Sequence, residues 1–90
     1  MIKELTIIKE DNKITDQELY RLVLYNDDVN TFDWVIQCLV EVCHHTPEQA
    51  EQCAWIVHTK GKYAVLGGTR EFLEPRCEAL GERGLTVAIE

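Results

Sequence analysis

A helix has to begin at Thr46-Pro47-Glu48-Gln49. The threonine hydroxyl can cap the first turn, the proline needs no N–H at the first helical position, and the glutamine amide can reach back to the cap backbone. This start divides the apolar middle of the chain into two helices. Ahead of it, Phe32, Val35, Ile36, Leu39, Val40 and Cys43 recur at helical spacing and predict a helix ending near His45. Asn30 stands where its N-cap belongs, with Asp33 three residues on. Behind it, Ala50, Cys53, Ala54, Val57 and His58 share one face, and Gly61 closes the second helix.

Strands flank this pair. Tyr20-Arg21-Leu22-Val23-Leu24-Tyr25 is a run of strand formers bounded by Asn26-Asp27-Asp28. Tyr63-Ala64-Val65-Leu66 reads as a second strand before Gly67-Gly68, and Leu85-Thr86-Val87-Ala88-Ile89 alternates as a third with one buried face. Thr69, with Phe72 downstream, predicts a third helix interrupted by Pro75, since an interior proline costs about 3 kcal/mol. Either Glu71–Glu74 is a separate turn and the helix proper starts at Pro75, or the helix is kinked; Gly81 and Gly84 close it. The order β-α-α-β-α-β predicts an α+β fold, a three-stranded antiparallel sheet with three helices packed on one face.

Residues 1–18 read differently. Lys9-Glu10-Asp11-Asn12-Lys13 is polar, and Ile2, Leu5, Ile7 and Ile8 keep no period, so the segment is expected to be a flexible extension with at most a transient strand at Leu5–Ile8. Residues 19–90 form the core domain. With 90 residues the chain holds one small domain.

Inventory narrows the function. Sixteen acidic residues against nine basic give a net charge of −7, unsuited to a phosphate backbone and suited to a cationic partner. The chain has no serine, no apolar run of the ~18 residues a membrane span needs, and acids where a signal peptide has bases. A cytoplasmic protein is expected, with Cys38, Cys43, Cys53 and Cys77 reduced.

The four cysteines and three histidines raise a zinc site. Cys38 and Cys43, however, lie five apart on one helix and point about 140° away from each other, as do Cys53 and His58. A Cys–His nucleophile would need an electropositive setting that this acidic chain lacks. Gly67-Gly68 and Gly81-x-x-Gly84 match neither phosphate-binding fingerprint. No enzyme, metal or cofactor is expected.

Asn26-Asp27-Asp28 by itself is a turn former, and His58 by itself a histidine on a helical face. Taken together, Leu22-Val23-Leu24-Tyr25-Asn26-Asp27-Asp28, a helix carrying Val35, and Ala54-x-x-Val57-His58-x-x-Gly61-Lys62 resemble the ClpS family from Leu19 to the C-terminus. That family delivers N-degron substrates to the Clp ATP-dependent protease. The resemblance implies that Asn26, Asp27, Asp28 and His58 surround the α-amino group of a protein beginning with Phe, Tyr, Trp or Leu. It places Asn30, Phe32, Val35, Ala54, Val57 and Leu85 around the first side chain. Glu71, Glu74 and Arg76 would dock on the N-terminal domain of a Clp AAA+ ATPase of the ClpA or ClpC type. Nucleic acid and membrane are not implied as partners, and a monomer is expected.

The chemistry agrees with that implication. An α-ammonium has three donors and one positive charge, and its complement is a set of acceptors with net negative charge. Three departures from the family pattern stand out. Asn30-Thr31-Phe32 replaces Thr-Pro-Met, Ala54 replaces a bulkier methionine, and the stretch Pro75–Gly84 is shorter, which implies a reduced third helix. The first two imply a deeper pocket with a stiffer gate, and so a preference for large aromatics over Leu. The alternatives are an interaction domain of the same fold, such as the C-terminal domain of the ribosomal stalk protein, and a small zinc protein.

Overall fold

The computed structural model describes residues 18–90. The expected strand at Leu5–Ile8, and all but the last residue of the expected extension, lie outside the described residues. The elements are β1 (Tyr20–Tyr25), α1 (Phe32–Cys43), α2 (Pro47–Lys60), β2 (Lys62–Gly68), α3 (Arg70–Glu82) and β3 (Thr86–Ile89). The strand order is β2-β1-β3, antiparallel throughout. The expected α+β order and antiparallel sheet are therefore the observed ones.

β1 is central because it alone supplies two apolar registers. Leu22 and Leu24 are buried in the cluster that includes Cys38, Leu39, Cys53, Val57, Leu73, Leu80 and Leu85. Val23 is also buried but outside that cluster, with Ala64 and Ala88 as its register partners. β2 is in register with β1 up to Leu66 and shifts between Leu22 and Val23, leaving Val65 as an extra residue whose side chain joins the core. Such a bulge bends the strand and breaks the regular edge.

α2 begins and ends as its sequence dictates. The Thr46 hydroxyl accepts from Gln49 N–H and the Gln49 side chain accepts from Thr46 N–H, while Gly61 takes a left-handed φ of 96° to cap the last turn. α1 differs from the expectation. Its cap is Thr31, whose hydroxyl accepts from Trp34 N–H at 3.1 Å, and not Asn30. Asn30 cannot serve because its side chain is committed elsewhere. The helix also stops at Cys43, with His44 in the left-handed region.

Pro75 does not break α3. One helix of 13 residues runs from the Thr69 cap through Pro75 and Gly81 to Glu82, so the separate turn is not found. Pro75 is exposed, as is Glu71, whose carbonyl would have received its missing N–H. On either side Leu73 and Leu80 are fully buried. Each contributes roughly 1.5–3 kcal/mol, which offsets the local cost of the proline. Gly84, at φ 92°, turns the chain into β3, so Leu85 precedes that strand instead of opening it.

Candidate functional site

Between the end of β1, the start of α1, the last turns of α2 and the entry to β3 lies a cleft of about 530 Å³. All ten residues expected around an amine and a first side chain line it: Asn26, Asp27, Asp28, Asn30, Phe32, Val35, Ala54, Val57, His58 and Leu85. Leu24, Tyr25 and Trp55 line it as well and were not anticipated.

The floor is part of the core. Leu24, Ala54, Val57 and Leu85 are each under a tenth exposed, and three of them belong to the main apolar cluster. Val35 and Phe32 are half-buried walls. The other end is polar and open. Asn26, Asp28 and His58 are exposed, and among the described residues their side chains form no hydrogen bond. They offer a carbonyl oxygen, a carboxylate and a ring nitrogen, all acceptors available to an incoming donor.

Asp27 has a different place. Its Oδ1 accepts from Val29 N–H at 3.0 Å, Asn30 N–H at 2.9 Å and Asn30 Nδ2 at 3.1 Å. Its Oδ2 accepts from Asn30 Nδ2 at 3.0 Å and the Thr86 hydroxyl at 3.3 Å. The carboxylate is thus the node that holds the loop, and it lends the cleft a charge while its oxygens are engaged. The Asn30 backbone N–H is the main reason its pKa lies below the ordinary 3.8, against a smaller opposing effect of desolvation.

Asn30 extends this node across the molecule. Its amide also donates to Gly84 O at 2.8 Å, and Trp34 Nε1 donates to Arg83 O at 3.1 Å. With the Thr86–Asp27 bond, these ties fix the turn that presents Leu85 to the loop that presents Asn26 and Asp28. The neighbouring Arg83–Glu41 ion pair adds a further link between α1 and this turn.

Trp55 stands on the exposed side of α2, one residue after Ala54 and three before His58. Its ring meets Phe32 at 5.5 Å between centroids and His58 at 6.0 Å, inclined by 65° and 60°. Helical periodicity marks it as a residue off the buried face, which is why the sequence gives no notice of it. The only signal was its position inside the Ala54-x-x-Val57-His58 motif.

Glu71, Glu74 and Arg76 lie on α3 and do not line the cleft. Glu74 pairs with Arg70 at 3.6 Å, and Arg76 donates to Phe72 O at 2.8 Å with its guanidinium 3.9 Å from the centre of the Phe72 ring. The four cysteines are free thiols, and burial pushes Cys43 up to about 11. Among the described residues no group of three or more His, Cys, Asp or Glu is placed to hold a metal ion. Nor is any described helix long and apolar enough to cross a membrane.

Comparison with known proteins gives a consistent set of likenesses. The model of the family described as ATP-dependent Clp protease adaptor protein ClpS matches residues 15–88. A Campylobacter jejuni subsp. doylei protein named ATP-dependent Clp protease adapter protein ClpS is 36% identical over 61 residues, 68% of this chain and 62% of the relative. A protein of that name from Acetivibrio thermocellus is 35% identical over 66 residues, 71% of this chain and 67% of the relative. The match with the Campylobacter protein thus spans less than two thirds of that relative's length. Among solved structures, Agrobacterium tumefaciens ClpS2 bound to L-phenylalaninamide superposes with a TM-score of 0.74 at 25% identity, covering 81% of this chain and 95% of that one.

Proposed function

The chain belongs to the ClpS family of ATP-dependent Clp protease adaptors, and on that premise we propose that it binds N-degron substrates by their first residue and passes them to a Clp AAA+ ATPase. The ligand is a free α-amino group carrying a bulky side chain, Phe, Tyr, Trp or Leu. The observation that carries this reading is one cleft with two chemistries: unengaged acceptors at Asn26, Asp28 and His58, and an apolar floor of Leu24, Ala54, Val57 and Leu85. An ammonium needs the first and the side chain next to it needs the second. The structural neighbour's ligand, L-phenylalaninamide, has both parts. The step performed is capture and hand-over, with no bond made or broken.

Asp27 acts here through position and charge. By holding Val29 and Asn30 it sets the loop from which Asn26 and Asp28 project, and its carboxylate keeps the cleft negative. Phe32 at the wall and the small Ala54 on the floor favour a large, flat first side chain over the shorter Leu. Burying such a side chain contributes roughly 1.5–3 kcal/mol. Hand-over would use Glu71, Glu74 and Arg76 on α3, where an ATPase can dock without covering the cleft.

Fluorescence anisotropy with short labelled peptides tests the reading. Peptides beginning with Phe should bind, N-acetylation should abolish binding, and a first Val should bind poorly. His58→Ala should weaken binding of the Phe peptide about ten- to a hundredfold while leaving the protein folded. If no free-amine peptide binds the folded protein, the reading is wrong.

A further inference from the structure

Resting on that reading, we propose that Trp55 makes the cleft a two-residue site, reading the substrate's second side chain and favouring a cationic one. With the amine at Asn26, Asp28 and His58 and the first side chain on the floor, the rest of the substrate has to leave over the rim. The exposed lining residues form that rim: Asn26 and Asp28 on the loop, Trp55 and His58 on α2.

Trp55 is 54% exposed although it is among the largest apolar side chains in the chain. Its contacts with Phe32 and His58 hold the indole at the mouth and leave much of it open to solvent. An open indole face at the edge of a cleft is a preorganised anchor, since little side-chain freedom remains to be lost on binding. Its quadrupole attracts an ammonium or guanidinium. The charge of the rim acts the same way. Asp27 and Asp28 line the cleft, no lysine or arginine does, and the whole chain carries −7. A second-position Arg or Lys meets an aromatic face and a carboxylate, whereas a second-position Glu meets the same carboxylate as a like charge.

The test is anisotropy with three labelled peptides that begin Phe-Arg, Phe-Gly and Phe-Glu and are otherwise identical, against the wild type, Trp55→Ala and Trp55→Phe. The wild type should bind Phe-Arg at least about two- to fivefold more tightly than Phe-Gly, the ratio expected of an exposed cation–π contact with any attraction to the rim carboxylates added, and Phe-Glu most weakly. Trp55→Ala should lower the Arg-to-Gly ratio about two- to fivefold, to the smaller value that the rim carboxylates alone supply, while keeping the preference for a first Phe over a first Val. Trp55→Phe should retain part of the ratio.

Equal affinity of the wild type for all three peptides overturns the proposal and leaves first-residue recognition standing. An Arg-to-Gly ratio unchanged in Trp55→Ala also overturns it, by assigning the effect to overall charge. Loss of first-residue discrimination in Trp55→Ala overturns it too, because Trp55 would then be shaping the first pocket. Failure of every peptide to bind removes the underlying reading together with this one.

Discussion

The two ends of the cleft are built on opposite principles. The floor is made of residues that the fold already needs: Leu24, Val57 and Leu85 belong to the main core, and Ala54 is buried beside them. The proposed amine end is made of residues whose polar groups the fold leaves idle, since Asn26, Asp28 and His58 are exposed and their side chains form no hydrogen bond among the described residues, His58 making only its ring contact with Trp55. Substitution at the floor should therefore move stability and binding together. At the amine end it should move binding alone. A small domain can keep a specific site in this way, because only one half of the site draws on its limited stability.

The sharpest way to break this contrast is Leu85→Ala. It removes a core side chain, and urea unfolding should show a loss of about 2–5 kcal/mol along with loss of peptide affinity. If stability holds while binding falls, the floor is not shared with the core. His58→Ala is the counterpart. Peptide affinity should drop about ten- to a hundredfold, the worth of a hydrogen bond to a charged group, with the unfolding midpoint nearly unchanged. A large drop in stability would erase the distinction between the two ends.

Asp27 stands between them and should behave as a structural residue with a pH signature. Its folded pKa lies below the ordinary 3.8, so its contribution to stability is complete above that value and is lost as pH falls through the lower folded value. In acid unfolding curves the wild type should lose stability in that window and Asp27→Asn should be flatter there. The smallest effect is expected at the wall. Phe32→Met should raise affinity for a first Leu relative to a first Phe by about two- to threefold, because a thioether adapts to the shorter side chain. No change in that ratio would assign the preference to Ala54.

Both ends were legible in the sequence for different reasons. The apolar lining follows from periodicity, since Ala54 and Val57 of the floor and Val35 of the wall fall on helical stripes. The amine end is legible only as a resemblance, because turn formers and a lone histidine are common, and nothing local shows that Asn26-Asp27-Asp28 and His58 meet. What the sequence hid are choices decided by distant partners. Asn30 and Thr31 are both good caps, and Thr31 takes the role because the Asn30 amide is bound to Asp27 and to Gly84, 54 residues away. Pro75 signals a break, and the helix continues because Leu73 and Leu80 are anchored in the core on both sides. Trp55 is an exposed helical residue in any sequence reading; only the packing of α1 beside α2 puts it at a mouth.

The ties that close the cleft also set when it can exist. Asn30–Gly84, Trp34–Arg83 and Asp27–Thr86 join residues 54, 49 and 59 positions apart, and β3 pairs with β1 from Tyr25↔Thr86 to Leu22↔Ile89. Contacts of such separation form late, after the loop-closure entropy has been met. The motif proposed to hold an amine and His58 both precede β3 in the chain, yet neither is positioned until the segment through Ile89 has docked. If the cleft captures a substrate as proposed, that capacity would arise late in folding and in one step, and partly folded forms would be blind to the ligand.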